Sequence, residues 1–179
     1  SGETAAGKYP VETLMTMSSI AERIEKELDY GKSLSSFSGR RITIANAICH
    51  SSCTTAFELQ AAAIITPTQS GSTARMVSKF RPKAPIIATT SDVGVMRKLC
   101  LSFGVYPIYV PFTERTDDII DRAADAAVEA KLIKNGDLVV ITAGIGAAGS
   151  TNLIKVHIVG EILAKGIGIG DGSITGKVS

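Results

Sequence analysis

The sequence predicts a three-layer α/β/α sandwich around a five-stranded mixed sheet whose last strand runs antiparallel. Three observations carry this. From residue 61 onward, short apolar runs alternate with amphipathic stretches, the pattern of a mostly parallel sheet with helices on both faces. The runs around Ile64, Ile86 and Val139 are continuously apolar, as in strands covered on both sides. The last connection, residues 144–151, has eight residues and no helical pattern. A parallel crossover needs about a dozen or more, so the final strand turns back beside its predecessor.

The elements follow in order. Pro10 opens a helix, where its missing N–H costs nothing. Val11, Leu14, Ser18, Ala21, Ile24 and Leu28 recur at three- and four-residue steps, predicting one buried stripe, with Glu22 and Lys26 paired on the exposed side. The serine-rich stretch 32–39 reads as a link and boundary. A second helix is predicted over 43–60, with Ile44, Ala47, Ile48, Ala56 and Leu59 on one side. Its small polar middle, Ser51, Ser52, Thr54 and Thr55, suits either a close helix contact or a weakly apolar cover over the core. Next come a strand at 62–66, a helix at 73–80 stopped before Pro82, and a strand at 85–89. Asp92 caps a helix reaching Leu99 and Phe103 that ends at Gly104. The strand 105–110 contains Pro107 and is pushed toward a sheet edge. A helix over 116–131 turns Ile119, Ile120, Ala123, Ala127 and Val128 inward. Strands at 138–142 and 152–159 complete the sheet, and His157 reads as a strand residue.

Composition narrows the function. The chain has 179 residues, 45% hydrophobic and 20% charged, which excludes disorder. The net charge of +2, from 19 basic and 17 acidic residues, gives no argument for nucleic acid, and no run reaches the roughly 20 apolar residues of a membrane span. Cys49, Cys53 and Cys100 read as reduced thiols of a cytoplasmic protein rather than as a metal site, because no second ligand pair has the usual spacing. The chain opens without an initiator methionine and is read as a piece of a longer protein.

Ligands of open α/β sheets bind at the carboxyl ends of the strands. Two loops there stand out. Thr68, Gln69, Ser70, Gly71, Ser72 and Thr73 lead from the first strand into a helix. Hydroxyls, a glycine and a helix N-terminus can together hold an anion, with Arg75 or Lys79 adding a cation. The loop lacks the Gly-Lys-Ser/Thr ending of a Walker A motif, and an ordinary capped turn is the alternative. The second loop carries Gly144, Gly146, Gly149 and Ser150; its glycines permit close approach to a ligand or form a plain hairpin. If the first and fourth strands are neighbours, the two loops share one pocket. Glu3, Asp92, Asp117 and Asp118 are scattered or sit at caps, so the chain reads as a binding module with no catalytic residue.

At these residues the sequence resembles the carboxyl-terminal part of the pyruvate kinase family. The resemblance runs from Ser1 to Gly160. It is most specific over residues 65–88, over 136–144 and over Thr151, Asn152, Leu153, Ile154, Lys155 and Val156. It implies that residues 1–31 are a remnant of a catalytic barrel, 32–160 a regulatory domain, and 161–179 a linker or the start of an extra domain. The family transfers phosphate from phosphoenolpyruvate to ADP with Mg²⁺ and usually K⁺, through residues that have no counterpart here. The resemblance further implies that residues 68–73 hold the phosphate of an allosteric effector, a sugar phosphate or AMP. Gly144, Gly146, Gly149 and Ser150 would lie in a flap over it, and the protein would be a homotetramer. Two other readings stand beside this one: a purely structural interface domain, and a freestanding sugar-phosphate sensor.

Overall fold

The structure is a computed structural model and describes residues 2–35, 43–113, 115–144 and 150–160. Twelve elements are described: α1 (Gly2–Ala6), α2 (Pro10–Glu27), α3 (Tyr30–Ser35), α4 (Ile44–Glu58), β1 (Ala63–Pro67), α5 (Ser72–Ser78), β2 (Ile86–Thr90), α6 (Val93–Leu99), β3 (Val105–Tyr109), α7 (Thr116–Glu129), β4 (Leu138–Ala143) and β5 (Leu153–Ile158). The five strands form one sheet in the order β3-β2-β1-β4-β5. β1 is parallel to β2 and to β4, and β2 to β3. β5 is antiparallel to β4, with His157 opposite Val139, as the short final connection predicts.

Alternation along the strands divides the core in two. Ile64, Ile86, Ala88 and Val140 face one way and meet Cys49, Cys53 and Ala56 of α4, Ala74 and Val77 of α5, and Leu99 of α6. Ala63, Ile65, Ile87, Val139 and Ile141 face the other way, against Ile120, Ala123, Ala124 and Ala127 of α7. Five aliphatic strand residues from the two sets, Ile64, Ile65, Ile86, Ile87 and Ile141, have no accessible surface, each worth about 1.5–3 kcal/mol of transfer free energy. Pro107 sits on the edge strand β3, where the loss of one N–H is tolerated. The Asp92 side chain accepts the Val95 N–H at 2.9 Å and starts α6 as predicted. That helix ends at Leu99, four residues short of the expected Phe103, and turns through Gly104 at φ +66°.

Four expectations need correction. The stripe on α2 is not buried: Val11, Leu14 and Ile24 are more than half exposed, and no residue of this helix is buried. Amphipathic spacing says that a face is apolar; burial needs a partner, and no described element covers this face. The exposed pair on α2 is Arg23–Glu27 at 4.0 Å, while Glu22 accepts a hydrogen bond from Ser18. The link at 32–39 is helical as far as Ser35, with Leu34 buried and its carbonyl 3.0 Å from His50 Nε2; residues 36–39 lie outside the described ones. Finally, α4 buries Cys49, Ser52, Cys53 and Ala56 rather than Ile44 and Leu59, which are exposed. Small side chains let α4 lie close to α5 and the sheet. Ser52 is satisfied by donating to the Ile48 carbonyl at 2.8 Å, so its burial carries no orphaned hydroxyl.

Candidate functional site

Strand β1 sends its chain one way through α5 to β2 and β3, while β4 and β5 lie on its other side. The order therefore reverses between β1 and β4, and the carboxyl edge of the sheet opens there. A cleft of about 410 Å³ occupies this edge, within the usual range for small-molecule sites. The ends of all four parallel strands contribute to it: Thr68 and Ser72 after β1, Thr89 and Ser91 at β2, Val110 and Phe112 after β3, and Ala143 and Gly144 at β4.

The β1–α5 loop is held by its own side chains. Thr68 Oγ1 accepts the Gly71 N–H at 3.0 Å, and Ser70 Oγ accepts the Ser72 N–H at 3.4 Å while donating to Ser72 Oγ at 3.1 Å. Gly71 caps α5 with φ +76°, a left-handed conformation open to glycine. A Cβ there would meet Arg75 Nη1 at 2.8 Å, with Val95 and Leu99 behind it, so the position is closed to larger residues by space as well as by dihedral. Arg75 lies along the loop, and its Nη2 donates to the Ser70 carbonyl at 3.1 Å. This cation is anchored beside the first turn of α5.

Of the residues singled out in the sequence, Thr68, Gln69, Ser70, Ser72 and Thr73 line the cleft. Gly71 is buried and shapes the turn instead of lining it. Thr73 is also buried, and its hydroxyl is 2.8 Å from the Thr151 hydroxyl just before β5. Thr73 thus ties the loop to the segment leading into the last strand, which sequence spacing does not reveal across 78 residues. Gly144 lines the cleft from β4, as expected for neighbouring strands. Ser150 is described and exposed; it does not line the cleft. Gly146 and Gly149 lie outside the described residues. Arg75 and Lys79 are both exposed and likewise absent from the lining.

Sequence reasoning missed the β2 and β3 contributions. Their signal was present: parallel strands end on one edge, so the hydroxyl run Thr89, Thr90 and Ser91 and the apolar run Val110, Pro111 and Phe112 had to arrive there too. Behind the loop lies a small polar layer. Thr151 also hydrogen-bonds the Cys49 thiol, which burial nevertheless pushes up to about 11. Burial raises the Cys53 thiol further, reinforced by the neighbouring Cys49. Thr66 Oγ1, one strand over from Thr142, is buried without a partner. Among the described residues, no three His, Cys, Asp or Glu side chains gather into a metal-binding group. No helix among the described residues is long and apolar enough to cross a membrane.

Comparison with known proteins agrees with the fold. Residues 46–157 match the family described as "Pyruvate kinase, alpha/beta domain". The pyruvate kinase of Geobacillus stearothermophilus is 53% identical over 99% of this chain, and the pyruvate kinase 2 of Synechocystis sp. is 49% identical over 99%. The chain spans 31% and 30% of those two proteins. A crystal structure of a pyruvate kinase from Cryptosporidium parvum superposes with a TM-score of 0.75 at 30% identity, covering 89% of this chain and 32% of the other. The chain belongs to the pyruvate kinase family, and its five-stranded sheet is that of the family's α/β domain.

Proposed function

We propose that this chain is the effector-binding and subunit-assembly part of a pyruvate kinase, and that its cleft takes the phosphate of a sugar phosphate or AMP. In this reading the whole enzyme moves a phosphoryl group from phosphoenolpyruvate to ADP, giving pyruvate and ATP. No described residue of this chain takes a catalytic part in that step. The division of the chain into 1–31, 32–160 and 161–179 belongs to the same reading. The observation that carries it is the hydroxyl-rich turn into α5 at the rim of a cleft at the reversal point of the sheet; Arg75, outside the lining, is bonded to the Ser70 carbonyl of that turn. Short hydroxyl side chains and the first turn of a helix supply donors to a phosphate, and the nearby guanidinium supplies charge. Assembly is supported by β5, an edge strand with an open row of backbone groups and with Val156 and Ile158 exposed.

The test is calorimetric titration of the chain with ribose 5-phosphate, for the parent and for Ser70→Ala/Ser72→Ala. Thr73 is left intact because its hydroxyl is bonded to Thr151. Hydrogen bonds to a charged group are worth about 1.5–3 kcal/mol each, and roughly 1.4 kcal/mol is one decade. The double variant is expected to bind at least about tenfold more weakly. Equal binding by parent and variant would remove the phosphate role from this loop.

A further inference from the structure

Asn135 is the one asparagine of this chain followed by a glycine; Asn46 and Asn152 precede Ala47 and Leu153. An asparagine carboxamide is open to attack by the backbone nitrogen of the next residue, and a glycine there has no Cβ to block the approach. Asn135 and Gly136 are both exposed, in the turn between α7 and β4. Water and hydroxide therefore reach them. Lys131 and Lys134 line the same depression as Asn135, and their two ammonium groups favour the approach of hydroxide.

The end of β5 holds this pair back. Gly136 donates its N–H to the Val159 carbonyl at 2.8 Å, and Val159 donates to the Asp137 carbonyl at 2.9 Å. The Asn135 carboxamide lies on Gly160: a Cβ added at Gly160 would come within 3.1 Å of both its Cγ and its Oδ1. The turn is closed by the Asp137 N–H on the Lys134 carbonyl at 3.1 Å, with Gly136 at φ +89°. The Asp137 carboxylate accepts the Lys134 N–H at 2.9 Å and fixes the turn from its other end. Nucleophile and electrophile are thus restrained by the same two residues, Val159 and Gly160.

We infer that Asn135 is a deamidation site gated by the docking of Val159 and Gly160 on this turn. When that segment lifts, hydroxide takes the Gly136 amide proton and the nitrogen bonds to Asn135 Cγ. The Cγ–Nδ2 bond breaks, and ammonia leaves with a proton taken from water, which regenerates hydroxide. Water then opens the five-membered imide at either carbonyl and leaves aspartate or isoaspartate at position 135. Nothing is oxidised or reduced. Isoaspartate carries one more carbon in the main chain, so it lengthens the turn into β4 and spoils its fit to Val159.

The experiment follows Asn135 by peptide mass spectrometry in the chain at pH 8, native and in urea, beside amide hydrogen exchange of Gly136. Both reactions need the Gly136 N–H released, so one opening equilibrium slows both. Deamidation is expected to be at least about tenfold slower in the native chain than in urea, and the ratio should match the protection of the Gly136 amide within about threefold. That comparison needs no variant. Gly160→Ala puts a side chain at φ +80° and against the carboxamide. It should speed native deamidation about tenfold and leave the rate in urea unchanged. The gate is overturned if native and unfolded chains react alike, or if Gly136 exchanges freely while Asn135 stays intact. It is equally overturned if a folded Gly160→Ala chain reacts no faster than the parent. The site itself falls if Asn135 reacts no faster in urea than Asn46 and Asn152.

Discussion

Thr151 shows how one residue serves several elements. Its hydroxyl is 2.8 Å from that of Thr73 at the start of α5, and it also hydrogen-bonds the Cys49 thiol on α4. Its pairing with Thr73 is not marked in the sequence, because a buried hydroxyl pair across 78 residues has no periodicity. By contrast the Asp92 cap and the Gly71 turn were legible, since both rest on local backbone chemistry. The thiols give a prediction at this scale. Cys49 and Cys53 are fully buried and their thiolates are disfavoured by burial, whereas Cys100 is exposed. At pH 8 a thiol reagent should label one cysteine in the native chain and three after unfolding; native labelling of Cys49 or Cys53 would contradict the packing. The pH dependence has a definite sign. Folding raises the Cys49 pKa from 9.0 to about 11, so that contribution is fully present below pH 9 and lost as pH rises toward 11, with Cys53 extending the loss upward. The urea midpoint should be lower at pH 10 than at pH 8, and the difference should shrink in Cys49→Ala.

Among the elements, strands were read to within a residue or so, while helix faces were read less well. The strands around Ile64, Ile86 and Val139 are short, continuously apolar and bounded by turn residues, which leaves little choice. For α4 the apolar count pointed to Ile44 and Leu59, yet the side that packs is lined by cysteine, serine and alanine. Close approach to α5 selects volume over hydropathy, and the small polar middle of the helix, with Ser52 buried, carried that signal beside the apolar count. For α2 the helix was read correctly and its burial was not. Val11, Leu14, Met15, Met17, Ile20 and Ile24 are all more than half exposed in a chain that spans about a third of the relatives it matches. Such a face drives association in water. Leu14→Glu with Ile24→Lys should lower self-association at tens of micromolar and leave the melting temperature within about 2 °C, since surface changes usually stay within about 0.5 kcal/mol. A large fall in melting temperature would mean that α2 packs on the α/β core.

On the scale of the whole molecule, alternation and one loop length were enough to predict the architecture. The antiparallel edge follows from eight residues between β4 and β5, and the neighbourhood of β1 and β4 was the one assumption the site reading needed. The candidate site was half legible. Its polar end announced itself through the hydroxyl and glycine run, while the apolar wall from Val110 and Phe112 became visible once strand order put three strand ends on one edge. A second depression near Lys134 and Asn135 carries two cations, Lys131 and Lys134, but lies beyond α7, ahead of β4, at the opposite end of the strands. The central claim is that phosphate is held at the β1–α5 turn, and amide-resolved NMR during titration with ribose 5-phosphate tests it most directly. The account predicts saturable shifts largest at Gly71, Ser72 and Thr73, with Lys134 and Asn135 unmoved. Shifts centred on Lys134 and Asn135, or none at the turn at saturating ligand, would contradict it.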